Sequence, residues 1–331
     1  MALTSLPANT PRSFYRGAGR IHRFRGIAVP DDPYYPEDWI GSTTSRFGQA
    51  PLGLSVLPDG EALADAIAAR PEWWLGVEHV AAHGADPTIL VKLLDAGERL
   101  PLHVHPDRRF AGGHLASPYG KTEAWVILEA EPDAVVHLGF ARDVTAEELA
   151  GWVADQRIEE MLAATHQVPV RAGDAVLCPA GLPHAIGAGV FMVEVQEPTD
   201  FSVLLEWKGF ADGPEGGHLG LGYDAALSCV DRQAWSPKAL GELSGPRGTR
   251  LLPELADPFF AVERLRPDPA SVLEPAFSVV VVTRGAGELS SEREGTLAVR
   301  AGETVLVPYG AGRCALRGKV EAVRCKPATR S

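Results

Sequence analysis

Short apolar and alternating runs dominate the hydrophobic pattern of this chain. Thr88–Leu94, Leu100–Val104, Glu123–Leu128 and Ala134–Phe140 each read as a strand. Residues 145–166 break the rhythm. There Leu149, Trp152, Val153, Ile158, Met161 and Leu162 recur at helical spacing. Thr145 stands three residues before Glu148, as in a capping box, so a helix or helical pair is predicted. Strands resume at Val168, Ala175–Cys178, Val190–Val195 and Ser202–Trp207. Glu61–Arg70 reads as a short amphipathic helix stopped before Pro71. Beyond Phe259 the pattern is strand-rich again, with Ser278–Thr283 as a fully buried strand and Arg284–Gly287 as its turn. With 35 glycines and 27 prolines and no period among them, the chain is mostly β, in a sandwich or jelly-roll arrangement.

A length of 331 residues suggests two domains at roughly 150 residues each. The pattern divides the chain into an Arg-, Gly- and Pro-rich segment (1–50) packing on a first β domain (51–210), with the helical insertion near 145–166. A loop-rich connection (211–258) and a second, smaller strand-rich domain (259–331) follow.

Acidic side chains outnumber basic ones 43 to 31, a net charge of −12, and no basic stripe or polybasic patch stands out. Nucleic acid and membrane surfaces are therefore excluded as expected partners. No apolar run approaches the ~20 residues of a membrane span, and the first residues lack the apolar core of a signal peptide. A cytoplasmic protein is expected, monomeric or homodimeric, acting on a small molecule. The four cysteines are scattered without a C-x-x-C pair, which argues against a thiolate zinc site or a disulfide framework. Cys178 reads as a small buried hydrophobe, and Trp73, Trp74 and Trp125 as core or pocket wall.

Two spaced patterns carry the chemistry. One is Gly97-x5-His103-x-His105, in which residues two apart on a strand share a face. Glu123 opens the next good strand. The second is Gly173-x5-Pro179-x-Gly181-x2-His184, whose Pro and Gly turn the chain so that His184 points back inside. Three imidazoles and a carboxylate suit zinc, iron, manganese or nickel rather than calcium.

These patterns resemble the two signature motifs of the cupins, small jelly-roll barrels that hold a metal inside. The run Leu90-Val-Lys92-Leu-Leu-Asp95, then Leu100-Pro-Leu-His103-Val-His105-Pro106, Lys121-Thr122-Glu123 and Pro183-His184-Ala185 is more specific. It resembles type I phosphomannose isomerase over roughly residues 35–207. The resemblance implies two cupin domains, the second without metal, because Arg313 stands at the ligand position of Gly302-x5-Pro308-x-Gly310-x2-Arg313. It implies one Zn2+ on His105, Glu123 and His184. His103 stands where that family usually has glutamine.

The resemblance further implies an aldose–ketose isomerase that interconverts mannose 6-phosphate and fructose 6-phosphate through an enediol. Lys121 and Asp200 would handle protons and orientation, and Lys92 would contact phosphate or hydroxyls. One departure matters: the family arginine four residues after that aspartate is Leu204 here. If 202–207 is a strand, Lys208 shares a face with position 204 and offers a replacement charge. The residues leave three other readings open: isomerisation of another sugar, phosphorylated or not, Fe(II) dioxygenase chemistry, and sugar binding without turnover. Arg16, Arg20, Arg23 and Arg25 either line a pocket mouth or sit in water, and His114 and His218 are within reach of such a mouth.

Overall fold

A computed structural model describes residues 3–328. Three antiparallel sheets account for the strands. The first has five strands in the order Glu37–Ile40, Leu90–Ala96, Val190–Gln196, Glu123–Ala130 and Ala175–Cys178. Its inner strands are mostly apolar because both faces are covered; all seven residues of Leu90–Ala96 and of Val190–Gln196 are buried, Lys92, Asp95, Glu194 and Gln196 among them. The second sheet runs Val203–Leu204, His103–Val104, His184–Ile186, Val135–Phe140 and Thr165–Pro169. The third has seven strands and is built mainly on Ser278–Ser291 and Cys314–Pro327. The mostly β expectation holds.

The third sheet shares a core with the first. Val279, Val281, Val323 and Cys325 pack in one apolar cluster with Leu93, Val193 and Phe191. The helical insertion is a pair, Ala146–Asp155 and Ile158–Ala163, and the Thr145 hydroxyl accepts the Glu148 amide at 3.1 Å. Leu149, Trp152, Val153 and Met161 bury its apolar face.

Several expectations need correction. Arg284–Gly287 is not a turn: the strand runs through it, with a register shift between Val282 and Arg284. Gly285 and Gly287 serve instead to let the partner strand approach, since a Cβ would lie 1.9 Å from the Lys319 carbonyl oxygen at one and 2.1 Å from that of Arg317 at the other. Two helices after Pro71, Pro71–Leu75 and Val77–His83, and a third at Arg20–Arg25 carried no recognised signal. The N-terminal segment does not pack on the first sheet alone, because Thr4–Ser5 pairs with Leu306 and Val305 of the third.

The early arginines tie this segment down. Arg20 pairs with Asp95 at 3.1 Å and Glu131 at 2.7 Å, and Arg25 pairs with buried Asp38 at 3.0 Å. Gly97 is where the segment crosses the first sheet. A Cβ there would lie 2.3 Å from the carbonyl carbon of Gly17 and 2.6 Å from the nitrogen of Ala18. Gly97→Ala must therefore push residues 16–18 away. We expect it to destabilise the protein by about 1–3 kcal/mol in denaturant unfolding, as overpacking does.

Candidate metal centre and pocket

The cluster is assembled from both five-stranded sheets. His103 and His184 lie directly opposite each other on paired strands, and Glu123 starts a strand of the facing sheet. The rings of His103 and His184 are 4.1 Å apart, and each is 4.8 Å from His105. Glu123 Oε2 is 3.0 Å from His105 Nε2, and Oε1 is 3.4 Å from His184 Nε2. All four side chains are buried.

Their tautomers follow from their partners. Nδ1 of His103, His105 and His184 faces the carbonyl oxygens of Pro101 (2.8 Å), Phe201 (2.7 Å) and Leu182 (2.8 Å). A carbonyl only accepts, so each Nδ1 carries the proton and each Nε2 presents a lone pair. Nε2 of His184 and Oε2 of Glu123 are buried without a hydrogen-bond partner among the described residues. Two acceptors 3.0 Å apart, His105 Nε2 and Glu123 Oε2, repel unless a cation sits against both, a place that the Lys121 ammonium takes at 3.0 and 3.3 Å and that a metal ion could take instead. This donor set fits a divalent metal ion. Burial pushes His103 far below the usual imidazole range and His105 down to about 3, so both are neutral at neutral pH. Burial alone would raise Glu123, but the Lys121 ammonium beside it holds it well below its usual range.

Cys178 also comes close, within 4.8 Å of ligand atoms on Glu123 and His184. Its thiol is pushed far up by burial, as expected for an inert core cysteine.

Beside the cluster is a cavity of about 50 Å³, lined by Lys92, Lys121, Asp200 and Leu204 among others. Lys121 Nζ lies 3.0 Å from His105 Nε2 and 3.3 Å from Glu123 Oε2. Lys92 is almost fully enclosed. Its Nζ sits 4.3 Å over the Trp39 ring, 3.5 Å from Asp200, and 3.7 Å from both Glu37 and Glu194. Burial works against its charge, but Glu37, Asp200 and Glu194 together raise its pKa. Three carboxylates match this cation, so it is poorly placed to receive a phosphate.

Sequence reasoning missed Tyr15, Glu37, Arg46 and Glu194. Tyr15 donates to Glu37 Oε1 at 2.9 Å and Trp39 Nε1 donates to Oε2 at 2.6 Å. Burial opposes the charge of Glu37, but Lys92 and Arg46 bring its pKa down to about 2. Glu194 is raised to about 7, first by burial and then by Glu123. Its signal was present in Val-Phe-Met-Val-Glu-Val-Gln, a carboxylate inside an apolar strand just as Lys92 is a cation inside one.

Lys208 does not join the pocket. The strand ends at Leu204, and the amides of Leu205 and Glu206 both donate to the Leu102 oxygen. Arg99 grips Glu206 through two 2.6 Å bonds, and Gln156 Oε1 accepts the amides of Trp207 and Lys208. The chain is thereby led onto the helical insertion, and Lys208 is exposed. Neither His114, exposed at a helix end, nor His218, buried against Glu215, lines the cavity. Just before the strand Cys314–Pro327, Arg313 is exposed and pairs with Glu274 at 3.1 Å. No described helix is long and apolar enough to cross a membrane.

No protein-family model matches the sequence. The chain is 28% identical over 243 residues to a mannose-6-phosphate isomerase of Bacillus subtilis, covering 71% of this chain and 73% of the relative. It is 27% identical over 299 residues to a mannose-6-phosphate isomerase of Streptococcus mutans, covering 88% of each. In structure it is similar to the mannose 6-phosphate isomerase of B. subtilis, with a TM-score of 0.76 at 19% identity over 98% of this chain and 99% of that one. A mannosephosphate isomerase structure from Archaeoglobus fulgidus gives 0.77 at 16% identity, covering 99% and 98%. The resemblance to type I phosphomannose isomerases therefore extends over nearly the whole chain. The chain has their fold, and it is an isomerase by its kinship to the curated relatives.

Proposed function

We propose that this isomerase is metal-dependent and interconverts mannose 6-phosphate and fructose 6-phosphate. His103, His105, Glu123 and His184 would hold one Zn2+, or iron, manganese or nickel. The observation that carries this reading is the set of unsatisfied, inward-facing donor atoms at the floor of a pocket that also holds two lysines. A bound divalent ion supplies Lewis acidity at the sugar oxygens on C1 and C2, where enediolate charge develops.

The chain's own groups would move the protons. A base takes the C2 proton as the C1 carbonyl oxygen gains one; a proton then returns to C1 as the C2 hydroxyl loses its own. Lys121 and Asp200 are the groups for these transfers and for orienting the sugar. Lys92 holds Asp200, Glu37 and Glu194 in place. Glu194, titrating near neutrality beside them, can give or take a proton.

The test is conversion of mannose 6-phosphate by zinc-loaded protein against a chelated sample. Chelator-sensitive formation of fructose 6-phosphate is expected. No turnover with zinc shown to be bound would overturn the reading.

A further inference from the structure

We propose that the loop Thr43–Arg46 is a phosphate subsite at the pocket mouth, with Arg46 as its cation. The proposal rests on the phosphorylated sugar inferred above. The inner cavity, about 50 Å³, is well below the ~150 Å³ of a cavity that holds a benzene ring. A hexose reaching the histidine cluster must therefore extend outward. Outward lies a cleft of about 930 Å³, which meets the cavity at Asp200, a residue lining both. On one side the cleft is walled by Thr43, Thr44, Ser45 and Arg46, three hydroxyl groups and a guanidinium in sequence.

Arg46 has donors to spare. Its side chain is 14% exposed, and among the described residues its only side-chain hydrogen bond runs from Nη1 to the Arg12 carbonyl oxygen. Nε and Nη2, the two-donor edge of the guanidinium, lie 4.0 Å from Asp200 and 3.8 Å from Glu37, beyond hydrogen-bonding distance. Both carboxylates have closer partners. Glu37 accepts from Tyr15 and Trp39, and Asp200 is 3.5 Å from Lys92. That edge pairs with the two carboxylates at ion-pair range without hydrogen-bonding either, and unlike the enclosed Lys92 it borders the wide cleft, where it can grip a phosphate through two parallel bonds.

Among the described residues that line the cleft, Arg46 is the one cation. Lys92 and Lys121 line the inner cavity instead, Lys208 faces solvent, and position 204 is leucine. The charge that a phosphorylated sugar needs thus comes from the N-terminal part of the chain.

The experiment compares kcat/KM for mannose 6-phosphate and for mannose in metal-loaded wild type, Arg46→Ala and Arg46→Lys, with melting curves to establish that the variants fold. The ratio of the two values should fall at least about tenfold in Arg46→Ala, mainly through KM for the phosphorylated sugar. Arg46→Lys, a charge without the fork, should fall between. An equal loss on both sugars would make Arg46 only a positioning group for Asp200 and Glu37, and would overturn the subsite, as would no loss at all. Should wild type turn over neither sugar, calorimetric titration with each would decide. A preference for mannose 6-phosphate that vanishes in Arg46→Ala would retain the subsite and refute the isomerase reading; no such preference would refute the subsite.

Discussion

Glu123→Gln should abolish both metal retention and turnover while leaving the fold in place. The amide keeps the carboxylate's shape, and its oxygen can still accept the Trp125 indole N–H, which lies 2.9 Å from Oε1. What changes is the charge, and the atom facing His105, where an NH2 group replaces Oε2: a neutral amide takes the place of the one anionic donor among the four residues. Lewis-acid stabilisation is worth several kcal/mol, and each ~1.4 kcal/mol is a factor of ten, so kcat/KM should fall on the order of 10³ or more. The metal-dependent rise in melting temperature, about 2.7 kcal/mol of stabilisation when the ion is at a hundred times its Kd, should disappear too. Comparing each variant with and without metal separates this effect from the intrinsic cost of leaving Lys121 without its carboxylate partner. A Glu123→Gln protein that binds metal as wild type does, with wild-type turnover, would remove Glu123 from the centre.

How much of this was legible in the sequence depended on the range of the interactions. Strands buried on both faces announce themselves by composition, so Leu90–Ala96 and Val190–Gln196 were readable in advance. The histidines were readable because strand periodicity and glycine-marked turns are local. The charged groups that surround Lys92 were not, because Glu37, Glu194 and Asp200 reach it from positions 55, 102 and 108 residues away and meet only through sheet pairing. Lys208 failed for a related reason. Alternation predicts a shared face only while the strand continues, and here it ends where Leu205 and Glu206 turn to the Leu102 carbonyl. Arg46 carried no signal at all in a Ser- and Thr-rich loop. It gains meaning from Trp39, whose ring its guanidinium faces at 5.9 Å, and from two carboxylates, Glu37 on the preceding strand and Asp200 on a loop far along the chain.

Lys121→Met should lower kcat by ~10² or more without loss of metal, the size expected for a proton-transfer group. The thioether chain preserves most of the packing of a side chain that is only 6% exposed. Removing the ammonium does not weaken the ligand set. Lys121 shares its partners with any ion, since it lies 3.0 Å from His105 Nε2 and 3.3 Å from Glu123 Oε2, atoms whose lone pairs an ion would take. Two cations at one pair of donors repel, so the variant should hold its metal at least as tightly as wild type. An ion held by His105 also releases the Lys121 donors toward the cavity, where Asp200 and Glu194 lie. The split between unimpaired metal content and reduced kcat therefore distinguishes a group that acts on substrate from one that merely builds the centre. If Lys121→Met loses metal and activity together, the lysine's work is structural, and the proton transfers fall to Asp200 and Glu194.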